Sequence, residues 1–184
     1  MVTKDEAQVQ QEFTSLIAQH GHDLLVFLRS MVGQPDQAAD LLQDTYSDAW
    51  RAVRRDAPPF VAVGTVQEQR RWLFHAAYCR AISALRHRRL ITWEPLNVAQ
   101  LVPDLRTGDM AERVAEQEAV RQALVTLSQD DIASLILTVV HGFTAQEAAQ
   151  VIGISAPAVA KRVSRAKQRL LAAYLALAEE IARS

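Results

Sequence analysis

Residues 143–170 read FTAQEAAQVIGISAPAVAKRVSRAKQRL, and their punctuation decides the fold of this part of the chain. Thr144 followed by Glu147 is a capping box, which starts a helix at Ala145. Gly153 supplies the left-handed residue that ends it. Ser155 caps a second helix, and Pro157 falls in its first turn, where a missing N–H costs little. A short helix, a tight turn containing glycine and a longer helix make a helix-turn-helix. Projected at helical spacing, Val159, Val163, Ala166 and Leu170 share one stripe that packs on the preceding helices. Lys161, Ser164, Arg165 and Gln168 face the other way, with Ala158, Arg162 and Arg169 on a flank. Residues 156–178 hold five basic residues and no Asp or Glu. Ordinary surface helices mix both signs, so this face suits phosphates and guanine edges.

Outward from that stretch, nearly every segment has helical periodicity. Of 184 residues, 49% are apolar and 22% charged, the balance of a folded globular protein. No stretch alternates long enough for a sheet. Helical periodicity covers 12–31 (with a break possible at Gly21), 37–54, 69–89, 110–126, 129–141, 145–152 and 156–177. Asp36 is placed as the N-cap of the second of these. Residues 57–67, APPFVAVGTVQ, form an apolar loop, and 90–109, with Pro95, Pro103 and Gly108, lack sustained periodicity. The expected architecture is all-α: two small helical domains, 8–90 and 111–184, joined by a flexible linker at 91–110, the second holding the helix-turn-helix.

The net charge of −1 alone speaks weakly against nucleic acid, but it conceals a pattern. Residues 1–56 carry −4, 57–90 carry +5, 91–131 carry −5 and 132–184 carry +3. Screening over about 8 Å at physiological salt lets a basic face bind phosphate while the far side is acidic. One Cys excludes a disulfide framework and a Cys-rich zinc module. No apolar run spans a membrane, and MVTKDEAQVQQEF is unlike a signal peptide, so a cytoplasmic protein without membrane insertion is expected.

Two further segments resemble a known family. Ala39-Asp-Leu-Leu-Gln-Asp-Thr-Tyr-Ser-Asp-Ala-Trp-Arg51 resembles the acidic helix of bacterial extracytoplasmic-function sigma factors. Arg71-Trp-Leu-Phe-His-Ala-Ala-Tyr-Cys-Arg-Ala-Ile-Ser-Ala-Leu-Arg-His-Arg-Arg89 resembles the helix that follows it in that family. Leu127-Ser-Gln and Ser164-Arg-Ala-Lys-Gln-Arg-Leu170 fit the start and end of its second domain. The likeness covers about residues 12–90 and 112–172.

The resemblance implies a promoter-specificity subunit of core RNA polymerase, with one domain that docks on the polymerase and melts the −10 element and one that reads the −35 element. Asp40, Gln43, Asp44 and Asp48 are then the polymerase-binding surface. Phe60, Arg70, Arg71, Cys79, Arg80, Arg86, Arg88 and Arg89 are the candidates for −10 DNA. Within that set, Phe60 either stacks a flipped base or plugs the core, and Trp72 and Phe74 are read as core. Ser155, Ala158, Lys161, Arg162, Ser164, Arg165, Gln168 and Arg169 are the candidates for −35 DNA. The acidic stretch 91–112 resembles the family's tether, in which Asp104, Asp109 and Glu112 either mimic phosphates or solubilise. An anti-sigma factor is an expected partner, alongside promoter DNA.

The sequence departs from the family in places. The span from Trp50 to Trp72 is long, Cys79 stands where an Asn is common, and Ala158 and Ala160 replace Thr and a basic residue. The competing reading is a stand-alone helix-turn-helix regulator. An enzyme is not expected, and neither a cofactor nor a metal. The five histidines form no metalloprotease pair, and neither a phosphate loop nor a nucleophile elbow occurs. Cys79 is read as a buried structural thiol, with Arg80 able to lower its pKa.

Overall fold

A computed structural model describes residues 5–55, 57, 60, 65–89 and 127–183, and these are helical with short turns. The helices are α1 (Glu6–Val32), α2 (Pro35–Arg54), α3 (Val66–Arg89), α4 (Gln129–Leu135), α5 (Ala145–Ile152) and α6 (Ala156–Arg183). The proposed linker, the expected helix at 110–126 and most of the 57–67 loop lie outside the described residues.

The first three helices pack on one another. α1 runs unbroken through Gly21, which is there for closeness: a Cβ at that position would sit 2.5 Å from the Tyr46 hydroxyl of α2. Gly33, at φ 72°, takes the left-handed conformation and returns its N–H to Arg29 O at 2.9 Å. α2 then begins at Pro35, two residues before the expected start. Proline's fixed φ suits a first helical turn, so Gln34 is the N-cap and Asp36 lies inside the helix, not at its cap. Of the periodic residues Ala38, Leu41, Leu42, Thr45, Ala49 and Val53, all are buried except Leu42, which is half-buried.

In the second group, two capping boxes set the helix starts. The expected one, Thr144 with Glu147, opens α5, and Gly153 at φ 81° closes it. Ser128 with Asp131 opens α4 in the same way. Ser155 accepts from Ala158 N at 3.4 Å, and the α6 stripe buries Val159 and Ala166 completely. Between α4 and α5 the chain widens into a π-helical turn, Ile136–Val140, in which His141 N donates to Ile136 O at 3.1 Å. That turn carries His141 and Phe143 inward.

The two groups meet face to face. Phe74 of α3 lies 5.0 Å from the rings of both His141 and Phe143, and Phe27 of α1 lies 5.4 Å from Phe74. Around these rings, Arg70 donates to His141 O at 2.6 Å and Tyr78 donates to Asp130 Oδ1 at 2.6 Å. Gln67 donates to Glu147 Oε1 at 2.6 Å, and His75 Nδ1 lies 2.7 Å from Val151 O. A carbonyl can only accept, so His75 carries its proton on Nδ1.

Phe74 touches rings from both groups and is fully buried. Phe74→Ala should therefore cost about 3–5 kcal/mol, read as a drop in denaturant midpoint. Leu171→Ala, at a site 59% exposed, should stay within about 0.5 kcal/mol of the parent.

Candidate nucleic-acid interface

α6 presents the face foreseen from its projection. Ser155, Lys161, Ser164, Arg165, Gln168 and Arg169 are exposed and Ala158 is half-buried. Arg162 departs from expectation: its side chain is only 24% exposed and lies 3.2 Å from Asp130 and 3.5 Å from Asp131. Its Nη1 also reaches Ser128 Oγ at 3.4 Å. Arg162 thus ties the recognition helix to the start of α4 and is not displayed for DNA. Arg165 is half-exposed, with one edge 3.6 Å from Asp131.

The expected −10 surface is more changed. Phe60 is buried, with its ring 5.0 Å from Trp72 in an edge-on contact, so it plugs the core and offers no open face for a base. Arg70 is turned inward: its guanidinium lies 4.2 Å over the Phe143 ring, near Asp23 at 4.0 Å. Arg80 is held by α2, 2.6 Å from Asp48 and 3.0 Å from Asp44. The hydrogen bond to Asp48 raises its already high pKa. Arg71 sits 4.0 Å from Glu68 and Arg86 is exposed. The side chains of Arg88 and Arg89 lie outside the described residues.

Cys79 is exposed, not buried. Its Sγ lies 3.6 Å from His75 Nε2, in a groove of about 650 Å³ between α2 and α3. Desolvation raises the thiol pKa, opposite to the lowering that Arg80 could have given. Arg80 is paired with Asp44 and Asp48 instead. On the acidic helix, Asp40, Gln43 and Asp44 are exposed, while Asp48 is shared between Arg80 and Arg51. The acids expected to meet the polymerase and an arginine expected to meet DNA therefore hold one another.

The chain is similar to known proteins. Residues 117–170 match the family described as Sigma-70, region 4. The chain is 30% identical over 174 residues to the RNA polymerase sigma factor CnrH of Cupriavidus metallidurans, covering 89% of this chain and 86% of that one. It is 30% identical over 171 residues to the RNA polymerase sigma factor NccH of Alcaligenes xylosoxydans xylosoxydans, covering 89% and 87%. The chain belongs to the extracytoplasmic-function sigma factors. Its fold is similar to the sigma factor RpoE of Bartonella quintana in complex with the anti-sigma factor NepR, with TM-score 0.66, 25% identity and coverage of 89% and 96%. It is also similar to CnrH in complex with the cytosolic domain of CnrY, with TM-score 0.60, 28% identity and coverage of 89% and 87%. This sigma factor binds core RNA polymerase and directs promoter recognition, −10 melting and initiation. Among the described residues, no helix is long and apolar enough to cross a membrane.

Sequence reading passed over the acids of α4 and the histidine of the seam. Asp131 was legible, since Ser128 and Asp131 have capping-box spacing. His141 was not, because only the π-helical turn aims it between the two groups.

Burial pushes the His141 pKa down to about 4, against its ordinary 6.5, and burial also lowers that of His20. The Nε2 atoms of both rings are buried without a hydrogen-bond partner. Between pH 6.5 and 4 the unfolded chain takes up protons that the folded chain refuses. The stabilising contribution is therefore complete above pH 6.5 and is lost as pH falls towards 4. Melting temperature should decline from pH 7 to pH 5, and His141→Phe should flatten that decline.

Proposed function

We propose that the exposed face of α6 reads the −35 element through Ser155, Ala158, Lys161, Ser164, Arg165, Gln168 and Arg169. The acid-free stretch 156–178 of the recognition helix is the single observation that carries this reading. Arg165 is its centre, being half-exposed and able to present a planar fork to a guanine edge. Asp40, Gln43 and Asp44 form the docking surface for core polymerase, on the outer side of α2. Arg71, Cys79 and Arg86, with Arg88 and Arg89, supply the −10 face of a first domain spanning 8–90. Residues 91–110 serve as the tether to a second domain, 111–184. The protein acts in the cytoplasm and has no enzymatic activity of its own.

An anti-sigma factor is a further partner. Two similar structures, one bound to NepR and one to the cytosolic domain of CnrY, support a partner of this kind. The contacts between the two helical groups provide a compact form for such a partner to hold.

Transcription in vitro by core polymerase with this chain, against a pool of genomic promoters, tests the reading and yields the promoter sequence. Arg165→Ala should weaken binding to that promoter by about 1–3 kcal/mol and relax the preference at one position of the −35 element. An equal loss on every sequence would make it a phosphate contact.

Asp44→Ala should lower affinity for core polymerase in a pull-down. Its effect on the fold should be small, because its ion pair with Arg80 is exposed and such pairs contribute about 0–1 kcal/mol.

A further inference from the structure

Residues 156–178 of the recognition helix hold no acid, yet a carboxylate from α4 lies directly against Arg162 and Arg165. Asp131 belongs to α4 and its side chain is only 10% exposed. One oxygen, Oδ2, accepts from Ser128 N at 3.4 Å and closes the capping box. The other, Oδ1, lies 3.5 Å from Arg162 Nη1 and 3.6 Å from Arg165 Nη2. The two arginines are not equivalent. Arg162 is surrounded by Asp130, Asp131 and Ser128 and is three-quarters covered. Arg165 has Asp131 on one edge and is open on the other, at 49% exposure.

A carboxylate in that position has two physical effects on Arg165. It fixes one edge of the guanidinium, so less side-chain freedom is lost when the open edge meets a base. It also offsets the positive charge that any phosphate would feel, which weakens binding that ignores sequence.

We propose that Asp131 is a positioning residue for promoter discrimination, holding Arg165 for base readout and suppressing its attraction to generic phosphate. This rests on the reading of α6 as the −35 reader. Asp130 acts differently. Its Oδ1 accepts from Tyr78 and its Oδ2 meets Arg162, which links the seam to the recognition helix without touching Arg165.

Two substitutions separate charge from folding. Asp131→Gln removes the charge but keeps a residue that can close a capping box, and Asp131→Glu keeps both. Each full-length variant is assembled with core polymerase. Binding is measured on the selected promoter duplex and on the same duplex with a scrambled −35 element, across a range of potassium chloride concentrations. Asp131→Gln should bind the scrambled duplex severalfold more tightly and lose about tenfold in discrimination. Its salt dependence on that duplex should steepen by about one phosphate contact. Asp131→Glu should keep the parent's discrimination. A merely structural acid would shift melting temperature and leave the discrimination ratio alone. Discrimination unchanged in Asp131→Gln, or lost equally in both variants, overturns the proposal. A parent chain with no −35 preference at all overturns the underlying reading as well, so the two failures are told apart.

Discussion

Arg70 donates to the backbone oxygen of His141 at 2.6 Å with its guanidinium 4.2 Å above the ring of Phe143, and the two helical groups close around that contact. A cation so placed needs compensation for lost water, which the carbonyl, the aromatic face and Asp23 together provide. The geometry exists because α4 widens into a π-helical turn and brings His141 and Phe143 against Phe74. A regular α-helical turn there would point these rings elsewhere. The closed arrangement of this sigma factor thus rests on a local irregularity between α4 and α5, and on one arginine from α3.

That dependence explains why charge along the chain misled in detail while it succeeded in outline. The +5 of residues 57–90 and the −4 of residues 1–56 do mark different surfaces. In the folded chain, however, the surfaces partly neutralise one another, since Arg80 lies between Asp44 and Asp48. The same happens at the recognition helix, where Asp130 and Asp131 receive Arg162. An arginine can be counted from sequence, but whether it faces a phosphate or a carboxylate is decided by neighbours distant in the chain.

Local rules were legible and long-range ones were not. Both the start of α5 at the Thr144 capping box and its end at Gly153 follow from spacing and left-handed geometry alone. The buried stripes of α2 and α6 follow from period. Phe60 could be read as plug or platform, and only the position of Trp72 decides for the plug. Cys79 lies within a helix beside Tyr78 and Arg80 and was expected to be buried, yet the groove between α2 and α3 exposes it. Arg162 carried the right chemistry for DNA, and its engagement depended on acids more than thirty positions away.

These contacts also differ in how readily they can be exchanged. Arg80 with Asp44 is an exposed pair, worth about 0–1 kcal/mol, so replacing one partner by a charge on another protein costs little. Arg70 is mostly covered, and withdrawing its partners while it stays buried would cost about 3–5 kcal/mol. Its contacts therefore resist piecemeal substitution, and they separate favourably only if water reaches the guanidinium as the groups part. Aromatic packing of Phe27, Phe74 and Phe143 opposes that entry of water. Parting the groups is thus a concerted event at the seam, whereas the acidic face of α2 can trade its arginine without disturbing the helices beneath it.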